Sequence, residues 1–389
     1  MAILEVVDSN LSSGPRGTVI IISSVHWHIT WQRHHEIAAG LASRGYKVEF
    51  IEPLPKRWPK ASEIRRVMGR LLGHSTEAGL FAQKLPPGIT VTSPPLLPDT
   101  GRIAQSINRR FFVPGIVKSI SERCKIRPII TINYLPIMAS LLLQQGIKPD
   151  LEIYDCVIDW QNDPYARGAG VVEDKLVESV DIVFTDSPFL FEKMSRFHPN
   201  VKQVLPAVNL DVFNKSSFSN ISSDHPIPMC CYFGGIGASL DIDLLREISY
   251  HYRLRLVGPL RISLKGFSKT TDYCGAVPHD QIPQLIQDAD VLLLPYQDAP
   301  HMKAVIPAKT FECLATGIPT VTSGLNSLDR FADLFYICHS QDEFLKAIEK
   351  ALSEDPSLKE RRMQCAEANS WAQRIDEIEG HINRMIHSR

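Results

Sequence analysis

Short runs of apolar residues recur along the chain, and each run is followed by a segment in which apolar residues return every three or four positions. Several runs are continuous, such as residues 19–22 and 291–294. Continuous apolar runs are typical of strands that are buried on both faces of a parallel sheet. The segments between them, for example residues 35–44 and 280–289, have the periodicity of helices. This alternation predicts an α/β fold with doubly wound parallel sheets.

The predicted strands form two series. The first comprises residues 18–23, 48–52, 89–92, 129–133, 151–156 and 181–185, and the second comprises residues 229–233, 254–257, 272–275, 291–295, 320–322 and 335–338. Residues 216–228, between the two series, are rich in Ser and Pro and lack apolar periodicity, as is usual for a linker. We therefore predict two Rossmann-like domains, residues 1–206 and 207–370, facing each other across a deep cleft. Ligands of such sheets bind beyond the carboxyl ends of the strands, so the loops there are the candidate sites.

Composition fits this fold and excludes several classes of protein. The chain has 389 residues, of which 44% are hydrophobic and 22% charged, as is usual for globular proteins. The longest apolar stretch, residues 135–143, is far shorter than the ~20 residues of a membrane-spanning helix. Residues 1–11 lack the basic start of a signal peptide, and the eight cysteines form no CxxC pair. We expect a cytoplasmic protein without a zinc site or disulfide framework.

Charge is distributed unevenly, although the net charge is only -1. Residues 53–127, here called the basic segment, contain fourteen Lys and Arg against four Asp and Glu, together with Trp58, Phe81, Phe111 and Phe112. Such a surface suits an anionic membrane, which would make the protein peripheral at the inner membrane face, or a polyanionic acceptor. Nucleic acid is disfavoured, because no binding motif accompanies the charge. Solvated helix faces are the alternative interpretation.

The loop after the first strand is rich in side chains that bind sugars. It contains imidazole, indole and guanidinium groups, which stack on sugars and hydrogen-bond to them, and its candidate acceptor-binding residues are His26, His28, Gln32 and Arg33. No glycine occurs between residues 18 and 40, so the dinucleotide fingerprint G-x-G-x-x-G is absent and NAD binding is not expected. One helical face could not present all four histidines of this loop, so we expect no metal site there.

The loop after the strand at residues 151–156 carries three carboxylates, Asp155, Asp159 and Asp163. A partly desolvated carboxylate at the carboxyl end of a strand can act as a general base. We assign this role to Asp159. The alternative is structural, with Asp155 or Asp163 capping the next helix or turn.

Two segments of the second series indicate a phosphate-bearing ligand. Gly235 and Gly237 follow a buried strand and would let backbone amides approach a phosphate or sugar. In residues 307–319, Pro307 suits the first turn of a helix and Gly317 the residue just past its end. A lysine at position 309 is unfavourable near a helix start unless an anion binds there. Lys309 could then hold a diphosphate and Glu312 could accept from ribose hydroxyls; a surface Lys–Glu pair is the alternative.

The order of these segments resembles the nucleotide-sugar domain of GT-B glycosyltransferases, in the broad family 4-like group. The similar segments are residues 204–213, 233–237, 256–259, 277–283, 289–296 and 307–319. Residues 31–33 and 154–160 resemble bacterial enzymes that make teichuronic acid and exopolysaccharides, and more loosely the xanthan glucuronosyltransferase type. The resemblance implies that the last helix, residues 371–389, returns to the first domain. It also implies a donor-binding set of Gly235, Gly237, Pro295, Tyr296, Lys309, Thr310 and Glu312.

The chain departs from the family pattern in two places. Retaining members usually carry a second Glu eight residues before the first, where this chain has Ala304, and the common Arg and Lys after the glycine loop are absent from residues 239–243. Lys309 would then be the main cation on the leaving diphosphate. We expect an inverting hexosyl transfer with Lys309 and Asp159 as catalytic residues. GT-B enzymes resemble one another in needing no metal for this step, so we expect no cofactor.

The expected function is transfer of a sugar from a nucleoside-diphosphate sugar, with UDP favoured, to a hydroxyl of a saccharide or lipid-linked saccharide in polysaccharide or cell-envelope glycan synthesis. A nucleotide-sugar 2-epimerase of the same fold is one alternative, and the aromatic loop near Trp31 disfavours it. A non-catalytic nucleotide-sugar-binding module is the other, and the Lys309/Glu312 pair disfavours it.

Overall fold

The chain folds into two compact units. The computed structural model describes residues 3–4, 14–28, 31–54, 85–98, 102–143, 146–162, 169–213, 218, 226–297, 299, 302, 305–323 and 325–388. The first unit consists of Met1–Asp186, Leu190–Val204 and Ile375–Arg389, and the second of Ser187–Phe189 and Leu205–Arg374. The chain therefore passes into the second unit at residue 205, two residues before the predicted domain boundary.

The first unit is built on an eight-stranded sheet in the order β1-β4-β3-β2-β5-β6-β7-β8. Its strands are β1 Ile3–Leu4, β2 Thr18–Ile22, β3 Lys47–Ile51, β4 Ile89–Thr92, β5 Ile129–Asn133, β6 Leu151–Cys156, β7 Ile182–Thr185 and β8 Val201–Gln203. All neighbouring strands are parallel except β1 and β4. Every residue of β2 is buried, as its continuous apolar sequence predicts for a central strand.

Helices of the first unit connect these strands. They are α1 Arg33–Ser43, α2 Arg102–Ile107, α3 Val113–Arg123, α4 Pro136–Leu143, α5 Ala169–Ser179 and α6 Pro188–Ser195, with a π-helical turn at Asn108–Phe112 between α2 and α3. The last helix of the chain, α12 (Trp371–His387), buries Ile375, Ile378 and Ile382 along one face. Ile375 packs against Gly40 of α1 so closely that a Cβ atom there would clash with it. The residues of α12 from Ile375 onward therefore belong to the first unit.

The second unit contains a six-stranded, wholly parallel sheet in the order β11-β10-β9-β12-β13-β14. Its strands are β9 Met229–Phe233, β10 Arg253–Val257, β11 Asp272–Gly275, β12 Val291–Leu294, β13 Thr320–Ser323 and β14 Tyr336–Cys338. Its helices are α7 Ile242–His251, α8 Ile282–Ile286, α9 Thr310–Thr316, α10 Gln341–Ala351 and α11 Ser357–Glu367. Numbered within the unit, the strand order is 3-2-1-4-5-6, the dinucleotide-fold order whose switch point lies between the first and fourth strands.

A buried arginine secures the end of α9. Arg362 on α11 is fully buried, and its guanidinium donates to the carbonyl of Leu334 at 2.8 Å and to that of Gly317 at 3.2 Å. Glu354 accepts from it at 2.5 and 2.6 Å and neutralises its charge. Gly317 itself ends α9 with φ of 70°, the left-handed conformation predicted for the residue after this helix.

The predicted fold class, two Rossmann-like α/β domains with parallel sheets, is confirmed. Each predicted strand agrees with an observed strand to within one residue at either end. Strands β1 and β8 were not predicted, because β1 has only two residues and β8 has only one apolar residue among its three. Within the described part of the chain, no helix is long and apolar enough to cross a bilayer.

Candidate functional site

The loops that follow β9 and β12 diverge at the switch point of the second sheet. Gly234 follows β9, and Pro295 with Tyr296 follows β12. The two loops are joined beyond the strands, because Leu240 and Tyr296 form an antiparallel bridge. The amide of Asp241 also donates to the carbonyl of Pro295 at 2.8 Å. The two loops are thus held together at the carboxyl edge of this sheet, which is where the ligand crevice of open parallel sheets lies.

Glycine is required where these loops approach other groups. Gly234 has φ of 118°, and a Cβ atom on it would collide with the side chain of Lys309. A Cβ atom on Gly258 would collide in turn with the carbonyl of Gly234. Gly235 differs, because a Cβ atom there would meet nothing within 4 Å. Two glycines of this site therefore allow close packing within the protein, whereas Gly235 borders open space.

The amine of Lys309 lies between these two loops. Its Nζ donates to the hydroxyl of Tyr232 at 3.0 Å and to that of Tyr296 at 3.2 Å. It also lies 4.6 Å from the centre of the Tyr232 ring, within the range of a cation–π interaction. The hydroxyl of Tyr232 donates onward to the carbonyl of Gly235 at 3.0 Å. The glycine loop, the end of β9, the loop after β12 and the start of α9 are thus connected through one ammonium group.

The surroundings of Lys309 keep it charged without neutralising it. Burial opposes the charge, but the oxygens of Tyr232 and Tyr296 outweigh that effect and raise the pKa of Lys309 above its ordinary value. Burial raises the pKa of Tyr296 to about 12, so this phenol stays neutral. No carboxylate among the described residues forms an ion pair with Lys309. A partly buried cation with only neutral partners is an arrangement suited to an anionic ligand.

Glu312 lies on α9, three residues after Lys309, and has a partner that the sequence analysis did not single out. Its Oε1 lies 2.7 Å from Nε2 of His279, and both side chains are partly buried. The ring of His279 in turn lies 5.5 Å from that of Phe213. Its segment, residues 277–283, is one of those that resemble the family, and the sequence alone gives His279 no separate role. Oε2 of Glu312 makes no hydrogen bond with the described residues, which leaves it available to a ligand.

The structure places Pro307 and Thr310 at the start of the predicted helix, but it does not describe Ala304. Helix α9 begins at Thr310, so Pro307 forms a turn before the helix instead of its first turn. Thr310 is fully buried, and its Oγ1 has no hydrogen-bond partner within the described ranges. Ala304, at the position of the second family Glu, lies outside the described residues.

In the first unit, Asp159 is held by other side chains of the chain. Its Oδ1 accepts from Nζ of Lys193 at 2.6 Å, and its Oδ2 accepts from the side-chain nitrogen Nδ2 of Asn162 at the same distance. Lys193 also lies 3.7 Å from Glu173. Asp159 is only 4% exposed. Its role as a general base stays a prediction.

The guanidinium of Arg33 binds a carboxylate of its own chain. It donates to both oxygens of Asp155, at 2.8 and 2.9 Å, and both side chains are buried. The alternative in which Asp155 caps a helix is therefore wrong, because this carboxylate lies in β6 and pairs with Arg33. Asp163, the other capping candidate, lies outside the described residues.

The remaining predicted acceptor residues surround the start of α1. Nδ1 of His26 lies 3.3 Å from Oε2 of Glu52, and the ring is partly exposed. His28 is exposed, and Gln32 occupies the N-cap position of α1. These residues share one loop region, but no hydrogen bond joins their side chains to one another in the part of the chain that the structure describes.

A polar cluster that the sequence analysis missed lies at the carboxyl edge of the first sheet, where the strand order reverses between β2 and β5. Nε2 of His34 is 3.0 Å from Oγ of Ser24, and its ring is 3.8 Å from that of Tyr134. Three buried atoms there, Nδ1 of His34, Oη of Tyr134 and Oδ1 of Asp186, have no hydrogen-bond partner within the described ranges. Burial holds the pKa of His34 well below its usual value and raises that of Asp186 to about 8. Tyr134 directly follows β5, Asp186 directly follows β7, and His34 lies at the start of α1. These positions are the signal by which the sequence could have indicated the cluster.

Much of the basic segment, including Trp58 and Phe81, lies outside the described residues. In its described part, Ile103 is 79% exposed and Phe111 is 68% exposed. The arginines at positions 109 and 110 are exposed beside them. Groups of three or more potential metal ligands do not occur among the residues that the structure describes.

Comparison with known sequences gives matches to glycosyltransferases. Residues 242–380 match a family model described as glycosyl transferase-like. The chain is 26% identical over 263 residues to TuaH of Bacillus subtilis (strain 168), which is provisionally named a teichuronic acid biosynthesis glycosyltransferase. That match spans 59% of this chain and 66% of the relative.

Comparison with solved structures gives the same fold over nearly the whole chain. A sucrose-phosphate synthase from Thermosynechococcus elongatus superposes with a TM-score of 0.70 at 14% identity, covering 96% of this chain and 100% of that one. WaaG, a glycosyltransferase involved in lipopolysaccharide biosynthesis, gives a TM-score of 0.60 at 12% identity, covering 93% and 98%. The predicted resemblance to GT-B glycosyltransferases is confirmed.

Proposed function

We propose that this protein transfers a sugar from a nucleoside-diphosphate sugar, with UDP as the favoured nucleotide, to a hydroxyl of a saccharide or lipid-linked saccharide. The observation that carries the proposal is the ammonium of Lys309, which the hydroxyls of Tyr232 and Tyr296 hold at the switch point of the second sheet. A diphosphate is the ligand whose charge this cation would balance.

Stabilisation of the leaving group is the main requirement of such a transfer. As the glycosidic bond to the donor breaks, negative charge develops on the departing diphosphate. The amine of Lys309 is already oriented, so it needs little reorganisation when that charge appears. A preorganised group of this kind contributes about 3–4 kcal/mol, or about 10²–10³ in rate.

Glu312 and His279 suit the nucleoside half of the donor. A carboxylate accepts hydrogen bonds from ribose hydroxyls, and Oε2 of Glu312 makes no hydrogen bond with the described residues. Its other oxygen contacts His279 at 2.7 Å, which fixes the orientation of the carboxylate. We therefore assign the ribose to Glu312 and the diphosphate to Lys309. Thr310, Pro295 and Tyr296 complete the proposed donor pocket with Gly235 and Gly237.

We assign the acceptor to the first unit, at the cluster of His34, Tyr134 and Asp186. Each of these side chains has a buried polar atom without a partner in the described residues, and sugar hydroxyls can both donate to and accept from such atoms. His26, His28 and Gln32 lie near the start of the same helix α1 and would extend the acceptor surface.

Asp159 is retained as the proposed base of an inverting transfer. To take a proton it would have to accept from the acceptor hydroxyl in place of Asn162, while Lys193 keeps the carboxylate in position. Asp159→Asn should lower turnover about 10²–10⁴-fold and leave donor affinity intact. Loss of donor affinity with normal turnover would assign Asp159 to binding, and retention of anomeric configuration in the product would reject inversion.

The basic segment is the proposed membrane contact. Salt-sensitive binding to vesicles of anionic lipid should disappear when five of its residues are neutralised, namely Lys56, Arg57, Lys60, Arg65 and Arg66. Binding that survives this change would reject the proposal. Electrostatic attraction of about 1 kcal/mol per basic residue near an anionic surface makes the expected effect large.

The deciding experiment is donor turnover in the presence of a metal chelator. The purified protein is incubated with UDP-, GDP- and dTDP-sugars, with and without a membrane lipid extract, and nucleoside diphosphate and sugar products are measured by chromatography and mass spectrometry. Diphosphate release that requires the extract, with sugar in the lipid fraction, supports metal-independent transfer. An isomerised donor without diphosphate release would assign the protein as an epimerase. Activity that requires added metal would reject metal independence.

A further inference from the structure

A second cationic side chain lies at the opposite end of the glycine loop from Lys309. Arg261 follows β10, and its amide donates to the carbonyl of Ile236 at 2.8 Å. The preceding residue, Leu260, forms a parallel bridge with Ile236. These backbone contacts fix the position of Arg261 beside the glycine loop.

The side chain of Arg261 runs along Gly237. Its Cβ and Cδ atoms lie 3.7 and 3.8 Å from the position that a Cβ atom on Gly237 would occupy. The residue is exposed, and its guanidinium forms no ion pair or hydrogen bond within the described part of the chain. Arg255 on β10 provides a contrast, because its guanidinium pairs with Asp272 at 2.8 Å and with Asp288 at 2.5 Å. Arg261 therefore offers an unneutralised charge next to the loop.

The two cationic side chains flank the same short stretch of the glycine loop. Lys309 contacts the loop at Gly234, and Arg261 contacts it at Gly237. Three residues of chain span at most about 11 Å, so both cations border the same short segment of backbone. A guanidinium is suited to phosphate, because it can donate two parallel hydrogen bonds to the oxygens.

We propose that Arg261 is the second cation that binds the donor diphosphate. It would be supplied by the loop after β10, in place of the basic residues that are absent from positions 239–243 after the glycine loop. This inference rests on the proposed function, because it requires a diphosphate in the crevice. Arg261 lies outside the segments that resemble the family, so the sequence pattern did not indicate this role.

Binding of UDP, GDP and dTDP to the full-length protein, measured by isothermal titration calorimetry, tests the inference. Arg261→Ala should weaken binding of the preferred diphosphate about 10–100-fold, as expected for loss of a charged hydrogen bond, and leave binding of the free nucleoside unchanged. Arg261→Lys should restore part of the loss, since it keeps the charge but not the planar fork. Lys265→Ala is the matched control, an exposed cation four residues further along the chain, and should alter affinity less than twofold.

The outcomes separate this inference from the proposed function. Normal diphosphate affinity in Arg261→Ala, with weakened affinity in Lys309→Met, would overturn the role of Arg261 and leave the proposed function standing. Failure of the wild-type protein to bind any of the three diphosphates would overturn both. Arg261 is exposed and unpartnered within the described residues, so its replacement should not affect folding, and unchanged thermal unfolding of Arg261→Ala verifies this.

Discussion

Replacement of Lys309 by methionine tests the central interaction of the site. The methionine side chain is unbranched and apolar, so it can occupy the space of the lysine stem against the rings of Tyr232 and Tyr296. It removes the ammonium that donates to both hydroxyls, at 3.0 and 3.2 Å. The substitution therefore deletes the charge and largely keeps the packing.

The expected effects of Lys309→Met on affinity and on rate follow from two states, the bound donor and the transition state. In the bound donor the diphosphate is already anionic, and a hydrogen bond to a charged group contributes about 1.5–3 kcal/mol, so the Kd for the nucleoside diphosphate should rise about 10–100-fold. In the transition state the bridging oxygen gains further negative charge, and loss of a preorganised donor costs about 3–4 kcal/mol. Only the difference between the two states lowers kcat, so kcat/KM should fall more than affinity does.

Lys309→Met should leave the protein folded. The raised pKa of Lys309 means that its charge favours the folded state, so the free energy of unfolding should fall by at most about the 1.5–3 kcal/mol of a charged hydrogen bond. Urea unfolding followed by circular dichroism measures this. A loss of activity in a variant that is still folded cannot then be attributed to unfolded protein.

Tyr232→Phe is the matched control. It keeps the lysine and the aromatic ring but removes one oxygen that accepts from Nζ and donates to the carbonyl of Gly235. The ammonium itself remains and still donates to Tyr296 at 3.2 Å, so the effect on the leaving diphosphate is indirect and activity should decrease about tenfold or less. If Lys309→Met turns over within a few-fold of wild type, or if Tyr232→Phe is impaired as severely, the assignment of leaving-group stabilisation to the ammonium is refuted.

Three further comparisons test other parts of the structure. Gly234→Ala should reduce both the urea midpoint and diphosphate affinity, because φ of 118° and a collision with the site lysine oppose a Cβ atom; Gly235→Ala, with open space, should reduce only affinity. Arg362→Met should cost about 3–5 kcal/mol of unfolding free energy by leaving its partly buried partner Glu354 alone, whereas Arg361→Met, in an exposed ion pair, should cost at most about 1 kcal/mol; equal losses would contradict this. Burial raises the pKa of Asp186 to about 8, so its protonated form stabilises the fold at low pH and that contribution is lost as pH rises through 8. Urea unfolding at pH 5.5 and 8.5 should therefore show a smaller decrease in the free energy of unfolding for Asp186→Asn than for wild type.

Local patterns predicted the strands because their cause is local. A strand buried on both faces needs a continuous apolar run, and β9 and β12 have such runs and lie at the predicted positions. The same continuous apolar run prevents the sequence from showing which side chains contact Lys309. When every residue of a strand is apolar or aromatic and buried, no alternation shows on which face Tyr232 projects, and the contact between residues 232 and 309 joins distant parts of the chain.

For the acidic loop of the first unit, residues 155–163, the sequence indicated the site but not the contacts of its side chains. Its carboxylates were identified from their place after a strand, but the sequence does not show which cations lie near them. Arg33 pairs with Asp155 across 122 residues of sequence, and Lys193 pairs with Asp159 across 34. A carboxylate directly after a strand can be catalytic, whereas one that pairs with a nearby cation can be structural. Its position in the sequence fits both roles and therefore could not separate them.

The two units have related strand orders but different chemistry at their switch points. The second unit presents an ammonium with neutral partners, which selects an anion. In the first unit, Arg33 is neutralised by Asp155, and the groups left without hydrogen-bond partners among the described residues include an imidazole nitrogen, a phenol and a carboxyl oxygen. Those groups suit uncharged hydroxyls. An epimerase acts on its donor alone and would have no use for a second hydroxyl-binding cluster, whereas a transferase requires one. Tyr134→Phe should therefore leave diphosphate binding unchanged and impair sugar transfer; normal transfer by this variant would remove the cluster from the acceptor site.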